Sequence, residues 1–173
     1  MASGSTSARH YFYKMKRFYI IPGWNESSSY KIYQSLAKTA QKDGYEVVFY
    51  NIDWDKKLSA QVFPVEKNSI IFGFSLGAIL ASLVAQKYKC KKLILGSMTP
   101  LYYFKDKKMK KELIELLGKN IVDDLVKNVR TKNKALNQIT IYGDREKEDG
   151  NIIVSKTGHR LNQRYNNIVS DLL

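Results

Sequence analysis

The chain has 173 residues, 44% of them apolar, which suits one domain with a packed core and excludes a disordered composition. No apolar run approaches the ~20 residues of a membrane span, and a single cysteine, Cys90, excludes an internal disulfide framework. Lys and Arg number 29 against 16 Asp and Glu, a formal net charge of +13. Most of this excess is scattered lysine with no nucleic-acid motif beside it, so it reads as a solvated basic surface and not a nucleic-acid footprint.

Residues 1–14 contain no acidic residue and lack the apolar core of a secretory signal. They read as a flexible tail or a cloning scar, leaving 15–173 as a single domain of cytoplasmic character. Phe18-Tyr19-Ile20-Ile21 is a short apolar strand stopped by Pro22-Gly23. From Ser29 to Lys42, Tyr30, Tyr33, Leu36, Ala37 and Ala40 fall at helical spacing, and Asp43-Gly44 ends the run. Tyr45–Ile52 is β-branched and aromatic, hence a strand. Ser69–Phe74 is the next strand, Gly77–Tyr88 a helix, and Lys92–Leu95 a strand ending at Gly96-Ser97.

Two amphipathic helices are expected at Lys108–Leu117 and Ile121–Val129, hinged at Gly118-Lys119-Asn120. They interrupt the strand–helix alternation, and 102–130 is the place for a small helical cap, although part of it must serve as the crossover to the next strand. Ile139–Tyr142 and Asn151–Ser155 are the last strands, and Arg160–Leu173 is the last helix. The alternation predicts an α/β fold: a mostly parallel sheet of about six strands with helices on both faces. Sites in such sheets lie at the carboxyl ends of the strands. Gly23-Trp24, Ser75, Ser97, Asp144 and His159 all fall there.

The stretch Gly73-Phe74-Ser75-Leu76-Gly77 is a G-x-S-x-G pentapeptide between an apolar strand and a helix. A serine on such a turn is presented at the top of the sheet for nucleophilic attack. Glycines on either side leave room for the close approach of strand and helix. A serine nucleophile needs a base and a third group to orient that base. Of two histidines, His10 lies in the 1–14 segment, so His159 is the candidate base. Asp144, just past a strand end in Gly143-Asp144, is the candidate acid, with Asp106 its main rival and Asp149 a weaker one. The oxyanion donors are expected to be the backbone N–H groups of Leu76 and Trp24. Trp24, Tyr102 and Tyr103 are candidate walls of the substrate pocket, and Cys90 is expected to be buried or at an edge.

These residues resemble the α/β-hydrolase superfamily, in particular its small, nearly capless serine hydrolases. The likeness rests on the G-x-S-x-G turn, the Ser…Asp…His order, the Gly-x loop after the first strand, and the Gly-Asp and Gly-His pairs. It spans about Lys16 to Leu173. It implies a Ser75 nucleophile, a His159 base, an Asp144 acid and an oxyanion hole at Trp24 and Leu76. It also implies hydrolysis of an ester, thioester or amide through an acyl-enzyme, with no cofactor and no metal. Two alternatives share the fold: an acyltransferase or lyase on the same triad, and a non-catalytic module whose basic run at 105–111 docks an acidic partner such as an acyl-carrier protein.

One departure from the pattern stands out. Only fourteen residues separate Asp144 from His159, whereas a parallel crossover usually takes ~10 or more residues by itself. Glu148-Asp149-Gly150-Asn151 also carries a hairpin signal. Either 145–150 forms a short extended crossover to a parallel strand, or a hairpin rises above the sheet.

Overall fold

The structure is a computed structural model and describes residues 16–173. The expectations for 1–14 lie outside the described residues. Six strands alternate with helices: β1 (Lys16–Ile21), α1 (Lys31–Lys42), β2 (Tyr45–Phe49), β3 (Ile70–Phe74), α2 (Leu76–Lys87), β4 (Lys92–Gly96), α3 (Lys107–Leu117), α4 (Lys119–Asn128), β5 (Asn137–Gly143), β6 (Ile152–Val154) and α5 (Gln163–Asp171). They form one sheet in the order β2-β1-β3-β4-β5-β6, with every adjacent pair parallel.

Side chains that alternate along a strand serve two cores. Phe18, Ile20, Phe72, Phe74 and Ile94 face α1 and α5, where Tyr33, Leu36, Tyr165 and Val169 meet them. Tyr19, Ile21, Ile71, Leu93 and Leu95 face α2 on the other side. Every residue of α2 from Leu76 to Ala85 is buried, because a second layer covers its outer side. That layer is α4 and a 3-10 turn at Leu58–Gln61, with Leu58, Val122 and Leu125 in the same core. Asp124 of α4 holds the turn by accepting hydrogen bonds from Ser59 N at 2.9 Å and Ser59 Oγ at 2.5 Å. Cys90 is wholly buried, and burial pushes its thiol up to about 11, which leaves it inert near neutrality.

The expected cap at 102–130 divides in two. α4 is the crossover between β4 and β5, packed into the core. α3 lies against α4 and the 3-10 turn Leu101–Phe104, burying Leu113 and Leu117 in the same core while Leu116 reaches the cavity at Ser75. Gly118, at φ +82°, makes the corner between them.

The link from β5 to β6 is the short crossover, not a hairpin. It fits because β6 pairs only with Ile141–Gly143, the last three residues of β5. The chain therefore descends past a short length of strand and needs no helix. Asn151 fixes the lower turn: its Oδ1 accepts from Thr140 N at 2.8 Å, and its own N–H donates to Thr140 Oγ1 at 3.1 Å.

Candidate active site

Ser75 joins β3 to α2 with φ 54° and ψ −121°, a region costly for a residue with a side chain, by about 1–3 kcal/mol. The surroundings impose it. Ser75 N–H donates to Gly96 O on β4 at 2.8 Å, and the helix begins at the next residue. The flanking glycines are steric requirements. A Cβ on Gly73 would sit 2.5 Å from Gly77 O, and one on Gly77 would sit 2.3 Å from Pro22 O. The turn is thus wedged between the start of its own helix and the end of β1.

His159 reaches this turn from the loop after β6. Its Nε2 lies 2.8 Å from Ser75 Oγ, its Nδ1 lies 2.8 Å from Glu146 Oε1, and its ring packs on Phe74 at 5.7 Å. A carboxylate only accepts, so Nδ1 carries the proton and the Nε2 lone pair faces the serine hydroxyl.

The carboxylate at His159 belongs to Glu146, and the expectation of Asp144 is corrected. Glu146 N–H donates to Gly143 O at 3.0 Å, closing a turn whose central residues are Asp144 and Arg145. Glu146 thereby returns over the end of β5, and its Oε2 accepts from Gly143 N at 2.6 Å and Ser97 Oγ at 2.7 Å. Burial alone would raise the Glu146 carboxyl, but the hydrogen bonds from His159, Gly143 and Ser97 outweigh it and hold the group below its ordinary value of 4.5. Ser97 is itself fully buried and strained at φ 41°. The Tyr165 hydroxyl lies 3.3 Å from Ser97 Oγ and donates to Ile141 O at 2.5 Å.

Asp144 serves the loop that carries His159. Its two oxygens accept from Lys156 N at 2.7 Å and Thr157 N at 2.9 Å, and these backbone hydrogen bonds draw its carboxyl below 3.8. They fold residues 155–158 onto the end of β5, where a Cβ on Gly143 would sit 2.2 Å from Thr157 O. Of the rivals, Asp106 caps α3, accepting from Met109 N at 2.9 Å. In the sequence, Gly143-Asp144 favours Asp144 over Glu146 because it places an acid directly after the strand. The useful signal was the turn itself, which points the fourth residue, not the second, back at the sheet.

The loop after β1 lies beside the serine. A Cβ on Gly23 would come within 3.2 Å of Ser75 Cβ. Glu26 Oε2 accepts from Gly23 N at 3.0 Å and from the Tyr33 hydroxyl, which fixes this loop. The N–H groups of Trp24 and Leu76 have no acceptor among the described residues. A cavity of about 660 Å³ opens from Ser75 and His159, walled by Trp24, Met98, Pro100, Tyr103, Leu113 and Leu116. Leu113 and Leu116 bring α3 to this pocket. Tyr102 does not line it: the side chain stands exposed, its hydroxyl donates to Glu148 Oε1 at 2.9 Å, and it borders a separate groove with Leu125 and Val126.

Among the described residues, no group of three or more His, Cys, Asp and Glu side chains is arranged to hold a metal ion. Nor is any helix among them long and apolar enough to cross a membrane.

No protein-family profile and no curated protein matches the sequence. Solved structures do match the fold. Alpha/beta hydrolase domain-containing protein 10 from mouse superposes with a TM-score of 0.65 at 11% identity, over 90% of this chain and 86% of that one. This is an α/β-hydrolase fold. MGS-MChE2, an alpha/beta hydrolase enzyme from the metagenome of lagoon sediments at Mar Chica, Morocco, gives 0.61 at 14% identity over 92% and 90%. Est1E from Butyrivibrio proteoclasticus gives 0.60 at 14% over 92% and 85%. Within the α/β-hydrolase fold, Ser75 occupies the strand-to-helix turn and His159 the loop after the last strand.

Proposed function

We propose that the protein is a serine hydrolase that cleaves a carboxylic ester or thioester through an acyl-enzyme on Ser75. The observation that carries this reading is the continuous chain Ser75–His159–Glu146, each link 2.8 Å. A nucleophile, a base and a carboxylate in hydrogen-bond contact at a strained turn is the arrangement acyl transfer requires.

The steps follow from the positions of the groups. Ser75 Oγ attacks the carbonyl carbon while its proton passes to His159 Nε2. The carbonyl oxygen becomes an oxyanion, to which Trp24 and Leu76 N–H donate. One such donor stabilises the transition state by roughly 3 kcal/mol. The imidazolium is balanced by Glu146, already ionised. Collapse breaks the bond from carbon to the leaving oxygen or sulfur, and that atom takes the proton from Nε2. Water then attacks the acyl-serine, giving its proton to His159, and the acid departs as Ser75 regains its hydrogen. The His159 side chain is 52% exposed, so water reaches it readily, which favours hydrolysis over transfer to another acceptor. The Leu113–Leu116 wall suits a small or medium acyl group.

The test is a fluorophosphonate probe with the adduct located by mass spectrometry, run beside turnover of a p-nitrophenyl ester. Labelling at Ser75 and loss of both signals in Ser75→Ala are expected. A folded protein that neither labels at Ser75 nor turns over the ester would overturn the reading.

A further inference from the structure

On the far side of the His159 loop from the acyl pocket lies a second cavity, of about 670 Å³. Four cations border it: Lys31 at the start of α1, Arg145 in the turn after β5, and Lys156 and Arg160 on either side of His159. Among the described residues none of the four takes part in an ion pair. The one acid on the cavity wall is Glu26, whose Oε2 is occupied by Gly23 N and the Tyr33 hydroxyl. Asp144 sits next to Arg145, whose charge helps hold its carboxyl below 3.8, so four cations face the two carboxylates of Glu26 and Asp144. The acyl pocket is different, since Arg145 and Lys147 there are interspersed with Glu146 and Glu148. The cleft thus carries a net excess of positive charge, in addition to the scattered lysines and the basic run at 105–111.

Its position gives the cleft a direction. In the proposed reaction His159 delivers a proton to the leaving atom, so the leaving group departs along the imidazole. The chain flanking that imidazole, Lys156 to Arg160, is the wall of this cleft, and Arg145 borders both cavities. Whatever extends from the leaving oxygen or sulfur on this side meets four cations, an excess over the carboxylates of Glu26 and Asp144. Two are guanidinium groups, which grip phosphate oxygens in pairs, and two are ammonium groups, which bind them as point charges.

We propose that this cleft binds phosphate on the leaving group, so that the substrates are esters or thioesters of a phosphate-bearing alcohol or thiol. This rests on the hydrolase reading above and narrows it. Apolar contacts along Tyr103, Leu113 and Leu116 select the acyl part, and charge selects the part released.

The experiment compares two thioesters that share an acetyl group and a thioester bond, acetyl-coenzyme A and S-acetyl-N-acetylcysteamine. Only the first carries phosphate. With the full chain at low ionic strength, kcat/KM is expected to favour the phosphorylated substrate by about tenfold or more, and salt should shrink the ratio toward one as screening sets in. The double reversal Lys31→Glu with Arg160→Glu should cut the ratio at least about fivefold. Lys38→Glu with Lys67→Glu makes the same change in net charge away from the cleft and should leave the ratio in place. A ratio near one in the unaltered protein, with the neutral thioester turned over, overturns the cleft and spares the hydrolase. An equal fall in both double variants also overturns it, because the attraction would then belong to the overall charge. If neither thioester is turned over, calorimetry with coenzyme A decides: binding weakened by the cleft reversal alone supports the cleft, and no binding overturns it, while the hydrolase reading stands or falls on the probe and the p-nitrophenyl ester.

Discussion

Glu146 Oε1 lies 2.8 Å from His159 Nδ1, while Asp144, two residues before it, turns its carboxylate onto Lys156 N and Thr157 N. Two acids in one turn thus have separate duties, one on the imidazole and one on the loop that carries it. Glu146→Gln should lower kcat by about 10³-fold or more with little change in KM, since an amide cannot balance the imidazolium or fix its tautomer. Asp144→Asn should keep turnover within about tenfold and lower Tm instead, by loosening the 155–158 turn. Steady-state kinetics on both variants checks this, and the reverse order of losses would return the acid's role to Asp144.

Ser97 acts through Glu146. Its hydroxyl donates to Glu146 Oε2 at 2.7 Å from a fully buried site. Ser97→Ala should lower kcat by roughly tenfold and leave KM nearly unchanged. It should also raise the Glu146 carboxyl pKa, because one of the hydrogen bonds favouring the ionised form is gone. NMR titration of that carboxyl separates a positioning role from a packing role. An unchanged titration would mean that Ser97 only fills space.

Acid should weaken the fold through the same carboxylates. Glu146 and Asp144 are both held below their ordinary values of 4.5 and 3.8. Their contribution to stability is therefore complete above those values and is lost as pH falls through the lowered folded-state values. Tm should be level near neutrality and drop below about pH 4.5. The Tm gap between the unaltered protein and Glu146→Gln should narrow as pH falls through the lowered Glu146 value, because a protonated Glu resembles Gln. Circular dichroism melts from pH 3 to 7 measure the gap, and a constant gap would contradict the linkage.

Gly77→Ala should be among the most damaging substitutions. The added Cβ would lie 2.3 Å from Pro22 O and 2.4 Å from Ile21 O. Both are backbone atoms at the end of a buried strand and cannot yield as a side chain tip does. A loss of about 3 kcal/mol is expected, or failure to fold. Denaturant unfolding of the variant measures it, and a loss below about 1 kcal/mol would mean the strand shifts freely.

Acyl preference should depend on α3. Leu116 lines the cavity at Ser75 yet is 49% exposed. Leu116→Ala should therefore spare the fold and lower kcat/KM for a hexanoyl ester by roughly five- to tenfold relative to the acetyl ester. A chain-length profile with p-nitrophenyl esters reads this directly. An unchanged profile would remove α3 from the acyl site.

Local pattern makes much of this fold legible. Short continuous apolar runs mark the strands, and Gly73-Phe74-Ser75-Leu76-Gly77 marks the strand-to-helix corner, because each depends on neighbours in the chain. The division of 102–130 was not legible. Both α3 and α4 have one apolar face, and nothing local says that Val122 and Leu125 join the core on the outer side of α2 while Leu116 meets a pocket. The parallel β5–β6 pairing was open for a related reason: the hairpin signal at 148–151 is local, whereas the shortness of β6, which makes a helix unnecessary, appears only when it is laid against Ile141–Gly143.

The same distinction runs through the site. Spacing along the chain suffices to put Ser75 at its corner and to leave one histidine within the domain. The choice among Asp144, Glu146, Glu148 and Asp149 as the acid at that histidine is made by groups far away in sequence. Ser97, 49 residues before Glu146, joins the neighbouring Gly143 N–H in pulling Glu146 inward, and the 155–158 turn takes up Asp144. Hydrogen-bond donors drawn from β4, β5 and the last loop meet in one place only after the sheet has closed. A carboxylate's role follows from its donors, so tertiary structure alone could assign it.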